Sequence, residues 1–295
     1  MKKRYAKSDF SPANLPVTRK QLFVDHYRNN RKVIFKAGWM LALFALPLIA
    51  FRIFFYFGYM GITEEHYGEQ FDTMMLLWNG FFYLGTILLF IPILIASFGF
   101  LRVFRYLNWG EGVDFFHLFG KGIKDNFRAS WLPSLVFLFL WALSMAAALF
   151  FGGALFSYAA LLIFFLVFCP IYGWMVLLGN VYEGGFGTRF SSACFFFGKS
   201  IPVSLLFLIG LCLPFAFDFI PLAVSPTYLA IRYSAVTLLL LFYYPPLLIA
   251  ILLYADARFD IHINRESYPE IYRKGLYDPA GIYVSSRKSS TSKHL

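Results

Sequence analysis

The chain has 295 residues, of which 59% are hydrophobic and only 14% are charged, and its formal net charge is +10. Soluble domains are about 45–50% apolar and about 25% charged, so this chain cannot hide its apolar surface inside a core surrounded by water. The stretch 129–182 contains no charged residue, and one bilayer crossing needs about 20 apolar residues. We therefore expect an integral membrane protein. The composition leaves no soluble domain for binding nucleic acid, so we expect no such partner.

Six apolar runs predict an all-α membrane bundle of six transmembrane helices. The first run follows a basic leader and has no small-residue cleavage pattern after it, so we interpret it as a retained anchor and not as a signal peptide. The predicted helices cover about 34–58, 73–101, 132–151, 155–180, 201–222 and 233–255.

Basic residues are concentrated on one side of these predicted helices. Of the 26 Lys and Arg residues, 24 lie in the leader, in the segments 102–128 and 183–200, or after Tyr254. The connection 59–72 carries acids and no base. By the positive-inside rule, this distribution predicts a multi-pass cell-membrane protein with both termini in the cytoplasm.

Short motifs recur along the chain, at steps of 92 and 78 residues, and the longer acidic connection 59–72 accounts for the excess in the first step. The sequence FKAGW at 35–39 returns as FRASW at 127–131, and FGK at 119–121 returns at 197–199. Repeats of this kind indicate one supersecondary unit used several times. Because each unit crosses the membrane twice, we predict three parallel hairpins related by pseudo-symmetry about the membrane normal. A proline also recurs in the returning helix of each unit, at Pro92, Pro170 and Pro245-Pro246.

The predicted repeat divides the chain into five segments. The last of them alternates tyrosines with polar, Pro and Gly residues and has no helical or strand period, so we expect a flexible end. Its tyrosines (Tyr268, Tyr272, Tyr277 and Tyr283) are alternatively anchors for a cytosolic partner. The segments are a cytoplasmic leader with an amphipathic arm (1–33), hairpin 1 (34–103), arm 2 with hairpin 2 (104–182), arm 3 with hairpin 3 (183–256) and a cytoplasmic tail (257–295).

The segment 114–128 is amphipathic, with phenylalanines on one face and basic residues on the other. This pattern is typical of an arm lying in the headgroup plane, and the alternative is a connector packed on the bundle itself. Lys36 and Trp39, and their counterparts Arg128 and Trp131, stand where an arm meets a membrane helix. Lys, Arg and Trp favour the interface, and the small residues between them let another backbone come close. We predict an interfacial elbow at both places, and not a ligand site.

Two charges interrupt the predicted membrane helices. Arg52 lies 16 residues beyond Lys36, and Asp218 lies 19 residues beyond Lys199. This spacing places both near the outer end of the hydrocarbon layer, where ionisable groups are costly and tend to be functional. We therefore consider an Arg52–Asp218 pair that clamps the bundle or lines an outward-facing cavity, with Arg232 as a rival partner for Asp218. The alternative is that each side chain reaches the outer headgroups.

Pro92, Pro170, Pro245 and Pro246 are predicted to kink the returning helices, because proline removes a helical hydrogen bond. Symmetric kinks can widen a central vestibule, as broken helices do in transporters. Kinks without transport are commoner, so the prolines alone do not decide between a transporter and another membrane protein.

Sequence motifs for catalysis are absent from the chain, which has no metalloprotease, nucleophile-elbow, P-loop or dinucleotide-binding pattern. We therefore predict neither enzymatic activity nor a cofactor. The acidic connection 64–72 offers oxygen ligands for a divalent cation. A solvated outer loop is the simpler interpretation, and we predict no metal site.

The connection RYLNWGEGVDFFHLFGKGIKDNFRAS at 105–130 combines a basic residue, a Gly-Glu turn, clustered phenylalanines and a final Asn-Phe-Arg. It resembles the connecting loop of the YesL-like family of small bacterial multi-spanning membrane proteins. This family often sits among genes for carbohydrate uptake, so the resemblance implies an accessory part in transport or sugar metabolism and implies no catalytic residue. The long basic leader and the extended tail depart from the family. The residues that carry the likeness are Arg105, Gly110, Glu111, Phe115, Phe116, Phe119, Asn126 and Phe127.

Together these features predict a non-enzymatic accessory or scaffold protein linked to transport, which presents its arms and tail to lipid or to a protein partner. The alternative is a small-molecule transporter or channel that uses the kinked helices together with Arg52 and Asp218.

Overall fold

The structure is a computed structural model that describes residues 15–150, 155–216 and 226–277. Every regular element within these ranges is helical. A π-helical turn, Phe164–Phe168, joins α6 to α7, and a second, Asp260–Asn264, joins α11 to α12. The helices are α1 (Arg19–Asn29), α2 (Arg31–Met60), α3 (Glu64–Tyr67), α4 (Phe71–Asn108), α5 (Phe115–Phe150), α6 (Leu155–Ile163), α7 (Cys169–Val181), α8 (Phe186–Lys199), α9 (Ile201–Ala216), α10 (Pro226–Phe242), α11 (Tyr244–Phe259) and α12 (Arg265–Ser267).

The described residues contain four helices that are long and apolar enough to cross a membrane. They are Arg31–Met60, which is α2, Glu64–Asn108, which joins α3 to α4, Phe115–Phe150, which is α5, and Tyr158–Val181, which joins α6 to α7. Two further helix pairs reach the same length and composition only when their two helices are taken together. These pairs are bent, α8 and α9 by 98° and α10 and α11 by 43°. The described chain thus has four to six candidate spans, and the prediction of an all-helical, multi-pass membrane protein is confirmed at this level.

α4 and α5 form a helical hairpin that is longer than a bilayer is thick. Their 38 and 36 residues extend about 57 and about 54 Å, whereas the hydrocarbon core spans about 30 Å. α4 ends in a glycine C-cap, in which the Gly110 N–H donates to the Leu107 carbonyl at 3.1 Å and the Glu111 N–H to the Tyr106 carbonyl at 3.0 Å. Gly110 has a φ of +70°, a left-handed conformation that favours glycine at this position of the cap. We call this end of the bundle, at the turn 109–114, the hairpin end.

The tightest packing lies at the hairpin end and not in the middle of the spans. Phe98 and Phe104 of α4 are fully buried, and so are Phe196 of α8 and Phe259 of α11. The rings of Phe196 and Phe259 meet edge to face with centroids 5.2 Å apart. By contrast, only 22% of the most apolar stretch of α2 and 17% of that of α5 is buried inside the protein, as expected for helices that face lipid.

Residues 115–128 are the first part of α5 and pack lengthwise against α4. Phe115 and Phe119 are buried on that face, and glycines make the close contact possible. A Cβ on Gly99 would lie 2.4 Å from the Phe119 ring, and one on Gly122 would lie 2.7 Å from the Arg102 Cβ. The prediction of an arm in the headgroup plane is therefore wrong for this segment. The segment packs instead on α4 within the bundle.

No helix break occurs at the two predicted elbows. Lys36 and Trp39 lie inside α2, and Arg128 and Trp131 lie inside α5. Helical residues at all four positions keep the backbone hydrogen bonds that a bend near lipid would leave unsatisfied. The elbow prediction is therefore wrong as a bend, and the chain breaks instead at Asn30, between α1 and α2.

Small residues at these positions lie at close contacts between helices. A Cβ on Gly38 would lie 2.1 Å from the carbonyl oxygen of Leu241 in α10. In the second copy, Ser130 is buried against α7, where a Cβ on Gly179 would lie 3.2 Å from the Ser130 Oγ. The repeated motif therefore marks a helix–helix contact in both copies.

The predicted kink prolines lie in three different settings. α4 continues through Pro92 without a break. Pro170 lies in the first turn of α7, directly after the π-helical turn Phe164–Phe168, which accommodates the missing backbone donor. Pro245 and Pro246 open α11 directly after the 43° bend that separates it from α10.

The C-terminal segment belongs to the fold as far as Tyr277. After α12 it folds back on the leader, and the Tyr277 N–H donates to the Pro16 carbonyl at 2.8 Å. Gly275 has a φ of +85° and packs so closely on α4 that a Cβ there would lie 1.9 Å from the carbonyl oxygen of Asn108. The expectation of a flexible end is therefore wrong for residues 267–277. The rest of the predicted tail, with Tyr283, lies outside the described residues.

Candidate functional site

Arg232 is buried among tyrosines where α10 packs on α2. Its Nη1 donates to the Tyr56 hydroxyl at 2.7 Å, and its guanidinium lies 4.8 Å from the Tyr56 ring and 5.4 Å from the Tyr233 ring. Arg52 lies one turn before Tyr56 on α2, with its guanidinium 5.5 Å from the Phe82 ring of α4. We call these five residues the arginine–aromatic cluster. Ring faces and a hydroxyl are groups that hold a cation at apolar depth.

Asp218, the predicted partner of Arg52, lies outside the described residues, so the Arg52–Asp218 pair stays a prediction. The structure brings Arg52 and Arg232 to the same helix contact and gives Arg232 a hydroxyl partner in Tyr56. Sequence reasoning missed Tyr56, although its spacing of four residues from Arg52 puts the two on one face of α2.

An open crevice of about 520 Å³ runs along α10. Its lining offers one hydroxyl and no charged group, and neither arginine of the cluster lines it. This crevice therefore has the chemistry of a lipid-facing surface and not of a path for ions. The lining residues are Ala235, Leu238, Leu239, Phe242 and Tyr243.

A second buried polar cluster, which sequence reasoning missed, ties the leader to the C-terminal segment at the hairpin end. The Asp260 carboxylate is at its centre and accepts from the Arg19 guanidinium at 2.7 Å. It also accepts from the Asn264 amide at 2.8 Å and from the Arg273 backbone N–H at 3.1 Å. A second nitrogen of Arg19 donates to the Lys274 carbonyl at 2.9 Å. We call Arg19, Asp260, Asn264, Arg273 and Lys274 the clasp.

Two neighbouring elements are fastened to the clasp. The Tyr182 hydroxyl, at the end of α7, donates to the Asn264 side-chain oxygen at 2.5 Å. Burial raises the pKa of Tyr182 above its ordinary value, so the phenol keeps its proton and remains a donor. The Lys274 ammonium lies 2.6 Å from the Glu111 carboxylate and 4.3 Å from the Trp109 ring centroid. The clasp therefore holds α1, α7, α11 and the turn between α4 and α5 together.

Beside the clasp, three polar side chains from three helices are buried together. They are His26 of α1, Asn108 of α4 and Asp256 of α11, and Asn108 lies close to both His26 and Asp256. Together with the clasp they form one continuous polar layer under the leader. The sequence signal was available on α11, because Asp256, Asp260 and Asn264 recur every four residues and therefore share one helix face.

The buried imidazole predicts a loss of stability on acidification. Burial lowers the pKa of His26 below 6.5, opposed in part by the charge of Asp25 and by Asn108. As the pH falls through about 6.5, the unfolded chain binds this proton first, so the stability is full above that pH and decreases below it by up to about 1.4 kcal/mol per pH unit. Thermal unfolding in detergent micelles between about pH 8 and about pH 5 tests this, with His26→Gln as the variant that cannot titrate. Equal pH dependence in both proteins would contradict the prediction.

A third set of polar contacts joins α4, α5 and α7. The buried Asn126 amide donates to the Phe98 carbonyl at 2.8 Å and to the Asn180 side-chain oxygen at 3.1 Å. Asn126 is one of the residues that resemble the YesL-like loop, and so is Arg105, whose guanidinium lies 5.0 Å from the Trp109 ring. In this structure both residues hold the hairpin end together.

Within the described ranges 15–150, 155–216 and 226–277, no three His, Cys, Asp or Glu side chains come together as metal ligands. Glu64, Glu65 and Glu69, from the acidic connection, are exposed to the surroundings.

Comparison of the chain with known protein families, with curated proteins and with solved structures finds no match.

Proposed function

We propose that the protein is a non-enzymatic scaffold or accessory protein of the cell membrane, associated with transport. The observation that carries this proposal is the clasp. Its charged side chains bind one another, the backbone and the turn between α4 and α5. They therefore stabilise the hairpin end, and each of them already has a partner within the protein. The association with transport rests on the resemblance to the YesL-like family.

In this proposal the chain crosses the membrane six times as three parallel hairpins. The third hairpin has α9 as its outgoing helix and the bent pair α10 and α11 as its returning helix. The distribution of Lys and Arg supports an orientation with the hairpin end and both termini in the cytoplasm. The clasp would then lie on the cytoplasmic side, outside the hydrocarbon layer.

The parts of the chain next to the clasp are the proposed contact with a protein partner. Pro16 and Tyr277 are joined by a backbone hydrogen bond, and these residues stand next to 1–14 and 278–295 in the sequence. Residues 1–14 carry four Lys or Arg residues, and 278–295 carry three. A partner with an acidic surface fits this charge.

Two truncations separate the partner contact from the fold. A chain that ends at Tyr277 keeps the clasp, so we expect an unchanged thermal midpoint but loss of the partner that co-purifies with the full chain after cross-linking in native membranes. A chain that ends at Phe259 loses Asp260 and is expected to lose both partner and stability. A partner retained by the chain ending at Tyr277 would contradict the proposed contact.

The alternative function, a small-molecule transporter or channel, is favoured by the arginine–aromatic cluster. Charged groups at apolar depth commonly mark solute paths, and Arg52 and Arg232 come together at one helix contact. Solute flux through reconstituted vesicles that Arg232→Gln abolishes would overturn the scaffold proposal in favour of this alternative.

A further inference from the structure

We infer that α8 lies in the plane of the membrane surface and inserts the side chains of Phe186 and Phe190 among the lipid acyl chains. This lipid contact is independent of the scaffold function, because it depends only on the helical membrane fold. It concerns the third unit alone, since the corresponding segment of the second unit stands upright as part of α5.

The first observation is the bend at Ser200. α8 and the apolar helix α9 meet there at 98°, and Ser200 itself is fully buried, which fixes the corner. α9 has no charged residue, and it exposes Leu206 and Ile209 on the outside of the bundle. An apolar helix that faces lipid runs into the hydrocarbon layer, and the 16 residues of α9 extend about 24 Å through its thickness of about 30 Å. A helix at right angles to it then lies parallel to the membrane surface.

The second observation is the division of α8 into three flanks. Ala193 and Phe196 face the bundle and are fully buried. Phe186 and Phe190 lie one turn apart on a second flank, exposed and stacked with ring centroids 6.3 Å apart. The third flank is mostly polar and exposed, and it includes Thr188, Ser191 and Lys199. An exposed aromatic flank beside a polar one is the pattern of a helix lying at a membrane interface.

The third observation decides which flank faces the lipid. Phe195 lies on the polar side, about 140–180° around the helix from Phe190 and Phe186 at 100° per residue. Its ring meets the His262 ring with centroids 5.4 Å apart. His262 lies just after Asp260 of the clasp, at the hairpin end. The Phe195 side of α8 therefore points to the hairpin end, and the side with Phe186 and Phe190 points away from it, towards the spans.

Phe190 and Phe195 form a matched pair for the test, because both are large, similarly exposed aromatic residues of α8, at 43% and 47%. A spin label is attached to Cys at either position in the full chain, with Cys169, Cys194 and Cys212 replaced by Ala. The protein is reconstituted in vesicles of phosphatidylcholine and phosphatidylglycerol. We expect the label at 190 to collide mainly with oxygen, which dissolves in lipid, and the label at 195 mainly with a water-soluble nickel complex. A label at 190 that favours the nickel complex as much as the label at 195 would overturn the inference.

Photo-cross-linking provides the same test in the chain that keeps its native cysteines. Benzoylphenylalanine at 190 is expected to form lipid adducts in the same vesicles, at least several-fold more than benzoylphenylalanine at 195. A cross-link from position 190 to a second copy of the chain, or to another protein, in place of lipid adducts would overturn the inference and would assign the aromatic flank to a protein interface.

Discussion

Replacement of Asp260 by alanine is expected to destabilise the protein by about 3–5 kcal/mol, because removal of one partner from a buried ion pair leaves the other charge uncompensated. The side chains of Arg19 and Asp260 are only 13% and 9% exposed. The same substitution removes the acceptor for the Asn264 amide and for the Arg273 N–H, and each buried donor left without an acceptor adds to the loss. Thermal unfolding in detergent micelles, followed by circular dichroism, measures the effect.

Glu111→Ala is the matched control for this substitution. Glu111 also pairs with a basic residue of the clasp, Lys274, at 2.6 Å, but the two side chains are 35% and 32% exposed. Solvent screens such a pair, so its loss is expected to cost about 0–1 kcal/mol. If Asp260→Ala and Glu111→Ala lower the thermal midpoint equally, Asp260 does not have the central role that the clasp assigns to it.

The membrane helices were predictable because each is a long apolar run. The ends of these helices were not, and α4 shows why. Its last turns contain Arg102 and Asn108, which look like the start of a polar connection in the sequence, yet both are buried in the structure. Asn108 is buried beside His26 and Asp256, which are far away along the chain. Local hydrophobicity cannot show such a tertiary contact.

The C-terminal segment illustrates the same limit for irregular backbone. Residues 268–277 have no helical or strand period, and such a pattern favours a flexible end. Contacts distant in sequence fix it instead, from Gly275 to Asn108 and from Tyr277 to Pro16. A positive φ of 53° at Arg273 shows that these contacts impose a conformation that the local sequence does not favour.

The repeated motifs predicted helix contacts better than they predicted bends. At Gly38 and Ser130 the small residue does admit a neighbouring helix, because close packing depends on side-chain size, which the sequence shows directly. A bend depends on what each side of the helix packs against. Residues 115–128 are held along α4 through the contact of Gly99 with Phe119, whereas after α8 the chain turns at Ser200.

Gly38→Ala is expected to have the second largest effect, a loss of about 3 kcal/mol of the free energy of unfolding, which is the upper part of the usual range for overpacking. The new Cβ would lie 2.1 Å from the carbonyl oxygen of Leu241 and 2.9 Å from its carbonyl carbon. Because these are backbone atoms, no side-chain rotation relieves the clash, and α10 has to move away from α2. The same displacement would strain the hydrogen bond between Arg232 and Tyr56, which joins these two helices.

The control for Gly38→Ala is Gly120→Ala in α5, where nothing lies within 4 Å of the new Cβ. Alanine favours the helix by about 1 kcal/mol relative to glycine, so Gly120→Ala is expected to leave the thermal midpoint unchanged or to raise it, while Gly38→Ala lowers it. A Gly38→Ala protein as stable as the unsubstituted chain would show that α2 and α10 do not approach at this glycine. The second occurrence of the sequence motif offers an independent check, because its buried small residue, Ser130, meets α7 instead of α10. Ser130→Leu is expected to separate α5 from α7 without disturbing the arginine–aromatic cluster.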